Sequence, residues 1–212
     1  MRIFFYLFLF ISLHPKAYSN IQSVYFAGGC FWCVEEVFEK TTGVVNVESG
    51  YSGGDKKNPT YMEVVTGNTG HIEATKIDFD PEIIDTNQLV KTLFLNIDPF
   101  DNEGQFCDKG YSYRSAIFSN DQELINQAKE LIQKIEKNHN EKVQLMILPF
   151  KNFYLAEDYH QDYYKKNPIR YNYYKYSCGR EKRINSKIGF RTKARKNHQL
   201  VLKIQKLKMI LK

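Results

Sequence analysis

The sequence predicts one α+β domain, with a mixed β-sheet packed with helices as a two-layer α/β sandwich. Three observations lead there. The chain has 212 residues, room for a single core with at most an appendage. Its 15 Tyr and 15 Phe, against 12 Gly and 6 Pro, describe a globular protein and exclude a disordered one. Period-two and helix-period stretches interleave without an internal repeat, the pattern of strands and helices sharing one sheet.

Each element has its own justification. Val24 and Phe26 alternate with Tyr25 and Ala27 as a short strand, which Gly28-Gly29 ends. Phe31, Val34, Val37 and Phe38 follow at helical spacing, so Cys30 falls at or just before a helix start. "GVVNVESGYSGG" reads as a second strand running into a glycine-rich loop, and "HIEATKIDFD" as a third. Thr86 to Asn96 fits a helix, and "SYRSAIF" a strand. In the next helix Asn120 and Glu123 have capping-box spacing, and Leu124, Ala128, Leu131 and Ile135 line one face. "KVQLMIL" reads as the closing strand, and the tyrosine-rich run 158–176 as a polar helix followed by loop.

The two ends stand apart from this body. Residues 1–19 hold Arg2, an eleven-residue apolar run Ile3–Leu13, and Ala17 and Ser19 at the −3 and −1 positions of a cut, the layout of a secretory signal peptide. That run falls short of the roughly 20 residues a membrane-spanning helix needs. Export, to the periplasm or as a secreted protein, is the expectation. From Arg180 to Lys212 there are twelve Lys or Arg and one acid, whereas the other 179 residues carry 18 basic and 23 acidic side chains. The formal +6 of the chain therefore belongs to its tail. The domain is expected over 20–180, and 181–212 as a basic, poorly ordered extension. A cationic tail suits an anionic surface, so a non-enzymatic binding protein acting through it is one alternative function.

The four cysteines are Cys30, Cys33, Cys107 and Cys178. In an exported protein they allow three pairings of structural disulfides. Zinc fits poorly, because Cys30 and Cys33 have ligand spacing but no second Cys or His pair matches them. Cys30-x-x-Cys33 also has the spacing of a thiol–disulfide oxidoreductase, with unusually bulky Phe31 and Trp32 between the thiols. A thiol at a helix start meets the positive end of the dipole, which predicts a lowered pKa for Cys30 and a nucleophile beside an apolar platform.

Five segments in order resemble the A-type peptide methionine sulfoxide reductases: "GGCFWCVE", "SGYSGGDKKNPTYMEV", "GNTGHIEA", "FCDKGYSYRSAIF" and "FYLAEDYHQDYYKKNP". The resemblance runs from about Val24 to Arg180 and implies a ferredoxin-like α+β domain. It implies thiol-dependent reduction of methionine S-sulfoxide, in proteins and as the free amino acid. By resemblance Cys30 is the nucleophile and Glu73 the general acid, kept protonated by a poorly solvated setting. Tyr61 and Tyr113 are the phenols that hydrogen-bond the oxygen, Asp108 a carboxylate near the same site, and Phe31 and Trp32 the pocket for the methyl group. His71 is expected to be structural, since the chemistry needs no imidazole. The Cys30 sulfenic acid is then resolved to a disulfide. Two thiols are candidates: Cys178, since late, loop-borne thiols do this in relatives, and alternatively Cys33, where many members carry glycine. The resemblance implies no bound cofactor or metal, a thioredoxin-like dithiol as electron donor, oxidised proteins as partners, a monomer, and no specific nucleic acid.

Overall fold

Alternation in "VYFAG" and "IEATKIDF" gives two strands whose apolar residues share a face, and these lie side by side at the centre of the sheet. The computed structural model describes residues 20–187; residues 1–19, where a signal peptide was expected, and residues 188–212 lie outside the described residues. β1 (Gln22–Gly28), α1 (Phe31–Glu39), β2 (Val44–Ser52), α2 (Tyr61–Val65), β3 (Ile72–Phe79) and α3 (Thr86–Phe94) come first. A small hairpin of β4 (Gly104–Gln105) and β5 (Asp108–Lys109) and a 3-10 turn (Tyr111–Tyr113) lead to β6 (Ser115–Phe118), α4 (Gln122–His139), β7 (Met146–Leu148) and β8 (Phe153–Leu155). α5 (Tyr163–Lys166), α6 (Pro168–Ser177) and α7 (Arg180–Lys187) follow.

The main sheet has the order β7-β6-β1-β3-β2-β8, antiparallel throughout except for the β6/β7 pair. Its inner four strands with α1 and α3 trace β-α-β-β-α-β, the ferredoxin-like connection that was expected. On one face, Phe26, Ile77, Phe79 and Ile117 meet Phe38 of α1, Leu89 and Leu93 of α3, and Leu124 of α4. Burying each such side chain contributes roughly 1.5–3 kcal/mol, so this layer holds the domain together. On the other face, Ala27, Ile72, Ala74 and Phe118 lie under Phe150 and Phe153, and Tyr25 stacks on Phe150 at 4.0 Å.

Several elements differ from the sequence reading. The strand expected over "SYRSAIF" begins only at Ser115, because Gly110 at φ 118° starts a 3-10 turn that holds Tyr113. α4 is capped by Asp121, whose side chain accepts from the Glu123 N–H; Asn120 instead donates to the Phe150 carbonyl. Only Met146–Leu148 of "KVQLMIL" pairs as a strand. The 158–176 run forms its helix late, at α5 and α6, with Pro168 opening α6.

α6 is tied down over the start of α1. The Tyr171 hydroxyl donates to Glu36 Oε2 at 2.6 Å, and Lys175 Nζ meets the same oxygen at 2.5 Å. The chain does not become a loose tail at residue 181. Buried Arg180 donates to the carbonyls of Gly28 and Asn96, Arg183 pairs with Asp98 at 2.7 Å, and Ile184 is buried. α7 thus crosses the boundary that charge composition suggested.

Candidate active site

The turn before α1 explains the two glycines. Gly29 has φ +80°, and a Cβ there would stand 2.4 Å from Cβ of Gln105, so only glycine lets the chain turn from β1 into the helix. Cys30 is the N-cap and makes no side-chain cap bond, which leaves the first-turn N–H groups to other partners. One of them, the Phe31 N–H, donates to Glu73 Oε2 at 3.0 Å. Glu73 stands on β3 and is 2% exposed. Burial pushes its carboxyl well up, the Asp108 and Cys33 charges add to that, and the Phe31 N–H only partly opposes them. Glu73 therefore keeps its proton to higher pH than an ordinary carboxyl, beside a thiol.

Two phenols complete the polar side. Tyr61 opens α2, where Thr60 and Glu63 form a capping box and the Tyr61 N–H donates to Glu157 at 2.9 Å. Its hydroxyl shares a hydrogen bond with that of Tyr113, and both rings feel the charge at Glu73. Burial first, and Glu73 second, push Tyr61 up to about 12 and Tyr113 higher, so both keep their protons as donors. Asp108, half-buried on β5, accepts from the Tyr174 hydroxyl, and burial raises its carboxyl.

The thiols of Cys30 and Cys33 are both free, buried and hydrogen-bonded to each other. The helix start does not lower Cys30 as expected. Burial raises it well above the ordinary thiol range, and its bond to Cys33 and the charges of Glu73 and Asp108 add to that. The easier proton belongs to Cys33, held near 6 by the bond from Cys30, against burial, with help from Arg180 and Tyr171. The dipole effect of a helix start is worth at most about 2 kcal/mol, and sealing the thiol from water outweighs it here. Cys178 does not stand free. It is bonded to Cys107, 71 residues away, with Cα atoms 5.0 Å apart. This disulfide and the Tyr174–Asp108 bond run in parallel, tying the 174 and 178 positions of one helical stretch to adjacent residues 107 and 108.

Aromatic rings wall the thiol pair. Phe31 is buried against Tyr51, Tyr61 and His160. Trp32 stacks on Tyr163 at 3.7 Å, meets Tyr174 edge-on, and donates its indole N–H to His160 Nδ1 at 3.2 Å. Burial lowers His160 to about 4, which keeps it neutral and able to accept. His71 is wholly buried; its Nδ1 accepts from the Gly54 N–H and its Nε2 meets the Lys56 carbonyl, a loop-fixing role.

The structure thus brings buried Cys30, Cys33, Glu73 and Phe31 together with half-buried Tyr61, Tyr113, Asp108 and Trp32 in one cluster. Sequence reasoning missed Tyr163, Tyr171, Tyr174 and the positioning role of His160. The i, i+3 spacing of Tyr171 and Tyr174 was the available signal for a helix face turned inward. Two groups of potential metal ligands occur among the described residues. Cys107, Asp108 and Cys178 are spoken for by the disulfide, and Glu39 and Asp162, beside Glu35, are bridged by Lys165.

Comparison with known proteins agrees with the resemblance. The family model described as "Peptide methionine sulfoxide reductase" matches residues 22–192. A Staphylococcus aureus protein named "Peptide methionine sulfoxide reductase MsrA 2" is 46% identical over 165 residues, 77% of this chain and 93% of that protein. A Vibrio cholerae protein named "Peptide methionine sulfoxide reductase MsrA/MsrB" is 46% identical over 173 residues, 81% of this chain; the chain spans under half of that relative, 46% of its length. Among solved structures, methionine sulfoxide reductase A of Corynebacterium diphtheriae aligns with TM-score 0.66 at 31% identity, over 73% of this chain and 79% of that one. Mxr1 from Saccharomyces cerevisiae in reduced form aligns with TM-score 0.66 at 29% identity, over 70% and 87%.

Proposed function

The chain belongs to the peptide methionine sulfoxide reductase family, and from that membership and the geometry of its thiol site we infer that it reduces methionine S-sulfoxide, in proteins and free, to methionine. One observation carries the inference: the buried Glu73 carboxyl, held protonated to higher pH by burial, accepts the Phe31 N–H in the first turn of α1, beside the Cys30 thiol. Disulfide exchange by Cys30 and Cys33 alone has no use for such an acid, nor for two protonated phenols.

The steps follow from the positions. Cys33, as the thiolate of the hydrogen-bonded pair, takes the Cys30 proton in an uphill step that the attack on sulfur draws forward. The Cys30 sulfur then attacks the sulfoxide sulfur, with the methyl group against Phe31 and Trp32. The hydroxyls of Tyr61 and Tyr113 bind the oxygen as negative charge grows on it, and Glu73 gives it a proton. Methionine leaves and Cys30 holds the oxygen as sulfenic acid. Cys33 attacks that sulfur, and the oxygen departs as water with the second proton. Overall, one sulfoxide and two thiols become one thioether, one disulfide and one water.

This assigns resolution to Cys33 in preference to Cys178, because Cys33 already touches Cys30 whereas Cys178 is engaged with Cys107. A thioredoxin-like dithiol then reduces the Cys30–Cys33 bond. The apolar leader supports a donor outside the cytoplasm, and fractionation of cells expressing the full chain tests that. The experiment for the whole reading is turnover of the S and R epimers of N-acetyl-methionine sulfoxide. Expected are S-only turnover, its loss in Cys30→Ser, and in Cys33→Ser a single turnover that leaves a dimedone-reactive sulfenic acid. Full activity of Cys30→Ser refutes the reading.

A further inference from the structure

About 7 and 13 Å along α1 from its Cys30 end, by helical rise, Glu35 and Glu39 face a surface groove of about 630 Å³. The opposite wall is β2 residues 44–48, with Leu155 at one end and Asp162 and Lys165 at the other. Three features of this groove have no use in the fold. First, β8 pairs with β2 only at Gly50–Ser52, so no described strand covers the outer edge of 44–48. Ser49 already turns its N–H and C=O to that side, where Gln161 and Ala156 bind them; by strand period Val47 does the same, into the groove. Second, Val45 and Leu155 are exposed apolar side chains at the rim. Third, Glu35 is 1% exposed, its Oε1 accepts the Asp162 N–H, and its Oε2 has no hydrogen-bond partner among the described residues. The neighbouring carboxylates have cations already: Lys165 bridges Glu39 and Asp162 at 2.7 and 2.8 Å, and Lys76 meets Glu48 at 2.9 Å. Glu35 has no ion pair among the described residues.

We propose that this groove holds the extended polypeptide flanking an oxidised methionine, paired to the free edge of β2, and selects a cationic residue about two to four positions from the sulfoxide. An open edge recognises backbone without regard to sequence, as strand addition does elsewhere. The unanswered carboxylate supplies the one preference. At about 3.3 Å per extended residue, the 7–13 Å of rise along the α1 axis from Cys30 to the Glu35 and Glu39 positions sets that two-to-four spacing. Burial holds Glu35 up at about 7, so an arriving cation also draws it into its charged form. The proposal rests on the reductase reading and adds the substrate's sequence context to it.

The test compares pairs of nine-residue peptides, each with a central methionine S-sulfoxide and either lysine or glutamate at positions two to four on both sides, with N-acetyl-methionine S-sulfoxide as the small substrate. The full chain should favour the lysine peptide about tenfold in kcat/KM, through KM. Glu35→Gln should bring that ratio near one while turnover of the small substrate stays within twofold, which also shows that the variant folds. A lysine peptide N-methylated at alternate residues should lose its advantage. Equal kcat/KM for the two peptides on the unaltered protein overturns the proposal but leaves the reductase intact. A rise in lysine-peptide turnover on deleting 188–212 also overturns it, since the groove then belongs to the chain's own basic tail. No turnover of the small substrate by the unaltered protein refutes the reductase reading itself.

Discussion

Glu73→Gln separates acid catalysis from shape. The amide oxygen still accepts the Phe31 N–H that now lies 3.0 Å from Oε2, and the volume is unchanged, so the start of α1 keeps its place. What is lost is the proton. General acid catalysis contributes about 10²–10⁴ in rate, or roughly 3–5 kcal/mol of barrier. Tyr61 and Tyr113 still bind the oxygen, which places the expected loss in the lower half, about 10²–10³ in single-turnover rate. The pH behaviour has a definite sign. Burial raises the Glu73 carboxyl, so the acid form is lost as pH climbs through its raised pKa, and the wild-type rate should fall there. The glutamine variant should be flat over the same range. Stability follows the same group. A carboxyl raised on folding contributes stability fully present below the unfolded value, near 4.3, and loses it as pH rises through the folded value. The variant lacks that titration, so at the alkaline end it should melt at or above the wild type. Rapid-quench assays of N-acetyl-methionine S-sulfoxide between pH 5.5 and 9, with thermal melts at the same pH values, read both effects. A variant within threefold of wild type, sharing its pH profile, removes Glu73 as the acid.

Other perturbations test the frame around it. Replacing both Cys107 and Cys178 by serine opens a covalent loop of 71 residues, worth about 4 kcal/mol in the chain-entropy account; the melting temperature should fall by on the order of 10 °C, and an unchanged melt contradicts this. Gly29→Ala sets a methyl group 2.4 Å from Gln105 Cβ at φ +80°; urea unfolding should show a loss of about 2–4 kcal/mol, and a loss under 0.5 shows that the turn relaxes freely. Tyr163→Ala removes the ring stacked on Trp32 at 3.7 Å; KM should rise several-fold with kcat nearly kept and the tryptophan emission shifted to the red, whereas a pure kcat effect argues against a role in holding the methyl pocket.

How much of this was legible in the sequence depends on the range of the interaction. α1, β2, β3 and α3 follow from local periodicity, and the structure has them with ends shifted by a few residues. β4 and β5 carry two residues each, too short for any period to register. The α4 cap shows a different failure. Asn120 and Asp121 are both good caps, and what chooses between them is the Phe150 carbonyl thirty residues away. At the site, residue types identified the chemistry, but their protonation was not legible. The helix start argued for an acidic Cys30; the opposite outcome comes first from burial under residues distant in the chain, with Cys33, Glu73 and Asp108 adding to it. Nor did anything local pair Cys107 with Cys178, since that contact depends on α6 folding back over α1.

One physical condition accounts for the unusual protonation of the site. Glu73, Cys30, Tyr61 and Tyr113 are all pushed up, and in each case burial is the largest cause. Reduction of a sulfoxide consumes two protons as the oxygen becomes water, so a site whose acids keep their protons to higher pH is better loaded for the reaction. The price is a reluctant nucleophile. Cys33 relieves this by accepting the Cys30 proton over a hydrogen bond, without opening the site to water. Placing both thiols on one helical turn therefore does two jobs: Cys33 first prepares the attack as a base and afterwards ends it as the resolving thiol. Cys33→Ser should accordingly slow the first turnover as well as block the disulfide. If it blocks the disulfide and leaves the first turnover at the wild-type rate, Cys33 resolves but does not activate, and the proton of Cys30 leaves by another route.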